Sequence, residues 1–182
     1  MAQQSPSDHG AIGFSDFSPR SYGDALWDQT PKKQTQHQRR HMLLGQMLAG
    51  QQVYDIRRAI QALHTVPELK HAKVTLTAEG PMAALCVYAA LYEPSVERLV
   101  LKNMPASHMP TEAESKDYAP ALLNVLKYLD LPQAVAMAAE RTVIEIHDDE
   151  PAKWQYPSDV AKALGWKERI VVKQSDAKDS GR

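Results

Sequence analysis

This 182-residue sequence is poor in several features that would define whole classes of protein. It has one cysteine, Cys86, so no disulfide can form within the chain, and the apolar helical run around Cys86 favours burial as a small hydrophobe. No window approaches the roughly 18 apolar residues of a membrane span. The start of the sequence lacks a basic or apolar leader. We therefore expect a cytoplasmic protein, or a secreted one if the chain is a fragment of a longer precursor.

An excess of charge of either sign is also missing. The 21 basic and 22 acidic side chains leave a formal net charge of -1, so no overall field attracts the protein to nucleic acid or to an anionic membrane. The basic pairs Lys32-Lys33 and Arg39-Arg40 have no aromatic residues between them and are interpreted as solvated. We predict no nucleic-acid partner and no membrane partner.

The hydrophobic content of 43% is enough for one sizeable core. Residues 1–38 are rich in Gln, Ser, Asp, Pro and Gly, which predicts a mostly flexible leader with one candidate strand at Ala11–Phe17. Residues 39–174 form the predicted main domain, and residues 175–182 a disordered tail. The main domain opens with apolar residues at helical spacing, which predicts one long amphipathic helix from Arg39 to His64.

Strand and helix patterns alternate through the rest of the domain. The sequence predicts strands at Lys73–Thr77, Arg98–Asn103, Thr142–His147 and Arg169–Lys173. It predicts helices from about Met82 to Leu91, from Ala121 to Glu140 with a break at the segment DLP, and in the segment PSDVAKALGW with Ser158 or Asp159 at its start. With the candidate strand in the leader, this alternation predicts an α/β fold: a parallel sheet of about five strands with helices on both faces.

The carboxyl ends of parallel strands are where ligands and catalytic groups gather. The first of these ends, LTAEGPM, has the layout of a hydrolase nucleophile turn, but Glu79 stands where a serine is expected. The turn contains only one glycine, Gly80, and no glycine-rich phosphate-binding motif can be drawn through it. We therefore do not expect a nucleotide site there.

Four segments carry a wider resemblance: RRHMLLGQMLAGQQVYDIRRAIQAL, LTAEGPMAALCVYAALYEP, LNVLKYLDLPQAVAMAAER and ALGWKERIVV. In this order and spacing, over roughly residues 11–174, they resemble the C-terminal half of α/β-hydrolases of the acetyl xylan esterase and dienelactone hydrolase-like group. The resemblance implies a partial α/β-hydrolase fold, descent from carboxylic-ester hydrolases, and a small ester or acylated carbohydrate as ligand. By position, it places Glu79 at the nucleophile and Asp148 or Asp149 at the acid.

The same resemblance implies a histidine after the last strand, and none follows RIVVK in this sequence. A serine activated by an imidazole forms a transient acyl-enzyme, whereas a glutamate in its place would form an anhydride. We therefore expect a degenerate or truncated site with weak or no hydrolysis. Glu79 could instead accept N–H groups at the start of the next helix, and a cluster of Glu79, His108 and Asp148 is the alternative active site outside the family pattern.

Other functions remain open at this point. The run from His147 through Asp148 and Asp149 to Glu150 contains metal-ligand types, but consecutive residues rarely aim at one point, so we predict no metal and no cofactor. A sheet that lacks its first strands has an unpaired edge, which favours a homo-oligomer or a non-catalytic binding or assembly module. The chain could also be a fragment of a larger active esterase.

Overall fold

The computed structural model of the protein describes residues 39–109, 119–166 and 168–174, where strands and helices alternate. The strands are β1 (Val74–Glu79), β2 (Val96–Lys102), β3 (Val143–His147) and β4 (Ile170–Lys173). The α-helices are α1 (Leu48–Leu63), α2 (Pro81–Tyr92), α3 (Leu131–Ala138) and α4 (Gln155–Ala163). Short 3₁₀ turns lie at Pro67–Leu69, Val125–Lys127 and Pro151–Trp154.

The strands form one parallel sheet in the order β1-β2-β3-β4. Apolar residues occupy matching positions across all four strands, as in the row Leu76, Leu99, Ile144 and Ile170. The predicted α/β class and parallel sheet are therefore confirmed. The described residues contain four strands instead of about five, and the candidate strand Ala11–Phe17 lies outside them.

The helices pack in chain order, with α1 against α2, α2 against α3 and α3 against α4. Right-handed crossovers that advance in one direction along a sheet place their helices on one face. Residues 83–90 of α2 are all buried, which makes α2 the central helix of this layer and confirms the predicted burial of Cys86. Among the described residues, the predicted helices on a second face are not seen. None of these helices is long and apolar enough to cross a membrane.

The predicted long helix from Arg39 to His64 is wrong, because the chain turns between two helical segments. Residues 39–43 are helical, a turn follows at residues 44–45, and α1 begins only at Leu48. Gly45 has φ +67°, a left-handed conformation that glycine adopts without steric cost and that ends a helix. Gly50 lies inside α1, and nothing lies within 4 Å of a Cβ added there.

Two other helix boundaries also differ from prediction. The segment DLP begins α3 instead of breaking a longer helix, because Asp130 is its N-cap and forms a capping box with Gln133. The α4 helix begins at Gln155, after the turn Pro151–Trp154, and so before Ser158. The Ser158 hydroxyl donates to the Trp154 carbonyl oxygen at 2.8 Å, one turn back inside the helical segment.

Candidate functional site

The carboxyl edge of the sheet carries a row of four polar residues, one from the end of each strand. Glu79 pairs in register with Lys102, Lys102 with His147, and His147 with Lys173. Adjacent strands lie about 4.8 Å apart, so these residues share one edge of the sheet. The turn that follows Glu79 therefore opens onto the edge where the sequence analysis expects a ligand.

The turn between β1 and α2 depends on Gly80. Its backbone angles, φ 58° and ψ −138°, suit glycine and strain other residues, and Pro81 then begins α2 with no side chain capping its N-terminus. The Glu79 side chain is exposed and its Oε1 accepts a hydrogen bond from Asn103 Nδ2 at 3.0 Å. Asn103 follows β2 with φ 47°, a conformation that asparagine tolerates better than most residues. Glu79 is thus held against the neighbouring strand end.

Asp148 follows β3 and holds the connection to α4. One carboxylate oxygen, Oδ1, accepts the Glu150 N–H at 2.9 Å, and the other, Oδ2, accepts the Trp154 indole N–H at 2.9 Å. Asp148 is 6% exposed and Trp154 is fully buried. Both oxygens therefore anchor a core tryptophan and its turn. The alternative acid, Asp149, is exposed to solvent.

His108 lies in the loop after β2 and contacts α2. Its Nε2 is 2.7 Å from the Tyr88 hydroxyl oxygen. Burial lowers the pKa of His108, an effect partly opposed by the Asp130 carboxylate, and burial followed by the same carboxylate raises the pKa of Tyr88. Since the imidazole is then neutral and the phenol protonated at pH 7, Tyr88 donates and His108 accepts. His108 Nδ1 is buried, and hydrogen bonding of the imidazole to the Ala119 and Pro120 backbone also opposes the lowering of its pKa.

Asp130 ties the same loop to the start of α3. Its Oδ1 accepts the N–H groups of His108 at 2.8 Å and Leu131 at 2.7 Å, and its Oδ2 accepts the Ser107 hydroxyl. Burial opposes ionisation of Asp130, but these hydrogen bonds outweigh it and hold its pKa below the usual range. The sequence analysis missed Asp130, although the pattern D-L-P-Q at residues 130–133 is a capping-box signal that could have identified it.

A second carboxylate that the sequence analysis missed, Glu145, lies on the sheet face opposite the helices. It accepts hydrogen bonds from Lys173 Nζ at 2.5 Å, from Arg98 Nη2, and from His147 Nε2 at 2.8 Å. The bonds from Lys173 and Arg98 are the main reason that its pKa falls to about 2. His147 and Lys173 are therefore engaged with a side chain in the middle of the sheet.

Glu79 and Asp148 lie at strand ends on the carboxyl edge and His108 lies in the loop after β2, but each has a different partner. Glu79 bonds to Asn103, His108 to Tyr88, and Asp148 to Trp154 and the Glu150 backbone. Within the described ranges, no hydrogen bond joins any two of Glu79, His108 and Asp148. The same ranges contain no group of three His, Cys, Asp or Glu side chains placed to hold a metal ion.

Comparison of the chain with protein-family models, with curated proteins and with solved structures finds no match.

Proposed function

We propose that this protein is an α/β-hydrolase-fold protein of carboxylic-ester hydrolase lineage, similar to acetyl xylan esterases, whose site has weak or no hydrolytic activity. The observation that carries the proposal is the position of two carboxylates, which stand where the family resemblance places the nucleophile and the acid. Glu79 follows β1 in a strand-turn-helix layout, and Asp148 follows β3 two strands further along the same edge. Both positions agree with the layout that the family resemblance implies.

The contacts of these carboxylates support the loss of hydrolysis. A triad acid orients a histidine, but both oxygens of Asp148 are occupied by the Trp154 indole and the Glu150 N–H. Acyl transfer at a nucleophile turn needs a base such as histidine within hydrogen-bond reach of the nucleophile, and the Glu79 carboxylate is bonded instead to the amide of Asn103. The edge is better suited to binding a ligand than to transforming one.

Hydrolysis of 4-nitrophenyl acetate and of acetylated xylan by the purified protein tests this proposal. We expect turnover close to that of buffer, and the same value for Glu79→Gln. The matched control is Glu140→Gln, which removes an exposed carboxylate just after α3, away from the carboxyl edge. Robust turnover that Glu79→Gln abolishes and Glu140→Gln preserves would overturn the proposal.

Ligand binding at the edge is tested separately by titrating acetylated xylo-oligosaccharides into isotope-labelled protein. We expect amide shifts to concentrate at Gly80 and Asn103, which flank the Glu79 carboxylate. Deacetylated oligosaccharides are the control for the acyl group. Equal shifts with both sugars would count against an acylated ligand.

The second candidate is a non-catalytic assembly module that associates through the β1 edge. Among the described strands β1 is terminal and pairs only with β2. The N–H groups of Val74 and Gly80 point toward β2, so the backbone groups of Thr75, Thr77 and Glu79, which alternate with them, face away from it. Unpaired strand edges of this kind favour pairing with another chain.

Light scattering during size-exclusion chromatography tests the assembly candidate. We expect a dimer that Thr77→Pro disrupts, because proline removes the outward N–H group at the centre of β1. Thr77→Ser keeps that N–H group and should leave the dimer intact. A monomer at high protein concentration would exclude association through this edge.

A further inference from the structure

The opposite edge of the sheet, where the strands begin, holds a cavity of about 480 Å³. Its walls come from the end of α1, the segment between α1 and β1, the start of β2, and the connection between α3 and β3. Besides smaller residues, it is lined by side chains that carry or can carry charge: His64, Lys70, His71, Lys73, Glu97 and Arg141. This cavity is separate from the candidate site at Glu79, because Glu79 lies at the other end of β1.

Positive charge is concentrated in this cavity. Lys70, Lys73 and Arg141 are cationic, and Glu97 is the one carboxylate among the lining residues, so the lining has an excess of cations before either histidine is counted. The whole chain, by contrast, has a net charge of -1. A concave surface lined by one sign of charge focuses the electrostatic field and attracts ions of opposite sign.

The cationic side chains of the cavity make few contacts with other residues. Lys73 pairs with Glu97, but their side chains are 73% and 50% exposed, and such exposed surface pairs contribute little to stability. Arg141 donates one hydrogen bond, from Nη2 to the Leu91 carbonyl oxygen at 2.7 Å, out of the five N–H groups of its guanidinium. Lys70 is exposed, and no hydrogen bond or ion pair joins it to another residue in the described ranges.

Compensation of helix dipoles explains only part of this charge. Helix C-termini carry partial negative charge, and Arg141 meets the end of α2 through Leu91. Lys70 follows the short 3₁₀ turn Pro67–Leu69, and Lys73 precedes β1, so neither is bound to the end of an α-helix. Lys70 is therefore left without a structural role that requires its charge, and Lys73 has only its exposed pair with Glu97.

We propose that this cavity binds a small phosphate-bearing anion, a phosphomonoester. Mobile lysine ammonium groups bind phosphate as point charges, and Arg141 adds planar N–H donors. The volume falls within the range of about 300–1,000 Å³ typical of small-molecule sites, which leaves room for an organic group beyond the phosphate. The proposal goes beyond the esterase-lineage function and concerns a different edge of the sheet.

Titration of glycerol 3-phosphate into isotope-labelled protein at constant ionic strength tests the proposal. We expect saturable amide shifts confined to residues 70–73 and 94–97, and none with glycerol, which lacks the phosphate. Weaker binding of inorganic phosphate would support recognition of the ester, and equal binding would support recognition of the phosphate group alone. Shifts that never saturate, or that spread over the whole surface, would overturn the proposal.

Two matched variants make the test specific. Lys70→Gln should weaken binding about fivefold, because a unit charge at contact distance in water contributes about 1 kcal/mol. Lys127→Gln removes the same charge from an exposed lysine in the turn Val125–Lys127, which does not line the cavity, and should leave affinity unchanged. Equal weakening by both variants would overturn the proposal by showing only a general charge effect. Both positions are exposed, so both variants should fold. The ester assay tests the carboxyl edge separately, so its result does not depend on phosphate binding in the cavity.

Discussion

The two faces of the sheet are built on different principles although the same strands form both. The helix-covered face consists of apolar side chains such as Leu99, Leu101, Ile144 and Ile146, all 0% exposed. The opposite face carries Thr75, Thr77, Glu79, Arg98 and Lys173, which are exposed, and the buried carboxylate of Glu145. Parallel sheets are usually covered on both faces. Among the described residues, hydrophobic packing stabilises one face, whereas the other combines a network of charges around Glu145 with the half-buried Val100, Val143 and Val171.

Among substitutions that test this difference between the faces, we expect the largest loss of stability on the packed face. Leu101→Ala removes a fully buried side chain from the centre of β2, and we expect it to lower the free energy of unfolding by about 2–5 kcal/mol. Urea denaturation followed by circular dichroism measures the change. A loss below 1 kcal/mol, on the order of a surface substitution, would mean that this face is not the main core.

A smaller loss is expected at the centre of the charged face. Glu145→Gln removes the negative charge that Arg98 and Lys173 contact, and we expect a loss of about 1.5–3 kcal/mol, the range for hydrogen bonds to charged groups. The control is Glu97→Gln, which breaks an exposed pair with Lys73 and should cost about 0–1 kcal/mol. Equal losses in the two variants would show that burial of Glu145 does not increase the contribution of its ion pairs to stability.

The stability that Glu145 contributes should depend on pH. Its folded-state pKa is depressed, from an ordinary 4.5 to about 2, by hydrogen bonds from Lys173 and Arg98. The contribution is therefore complete above the ordinary pKa and disappears as pH falls through the depressed one. We expect the difference in unfolding free energy between the protein and Glu145→Gln to shrink between about pH 4.5 and pH 2. Urea titrations at several pH values measure it, and a constant difference would contradict this origin.

The smallest effect is expected at the exposed end of the charged face. Thr77→Val keeps the size and β-branching of an exposed side chain on β1, and we expect the free energy of unfolding to change by less than about 0.5 kcal/mol. The same denaturation experiment measures it. A large loss would show that another surface packs over this face in solution.

Much of the fold could be predicted because its signals are local. Short runs of β-branched residues marked all four described strands, each within three residues of the observed ends. The errors arose where a local signal had two meanings. The run from Arg39 to His64 was interpreted as one helix, whereas the positive φ of Gly45 ends a helical segment before α1. The segment DLP was interpreted as a break, whereas Asp130 caps a new helix. In both cases backbone angles decided between the meanings.

The candidate site was predictable in position but not in its contacts. The strand-turn-helix pattern located Glu79 and Gly80 at the carboxyl edge, since parallel strands bring their ends together. The partner of Glu79, Asn103, is 24 residues away along the chain. Its amide reaches Glu79 only because the register pairs Glu79 with Lys102, the residue before Asn103. Register depends on the packing of whole strands, which a local pattern does not contain.

The sequence by itself determined the alternation of strands and helices, the parallel sheet and the edge at which Glu79 lies. These features follow from hydrophobic periodicity and turn residues, which act over a few positions. Only the tertiary structure decided how the carboxylates are used: Asp148 anchors Trp154, and Glu145 binds Lys173 across the sheet. It also brought Lys70 and Arg141 into one cavity. Hydrogen bonds and ion pairs act over a few ångströms, so residues distant in sequence can interact only after the strands have been set in register.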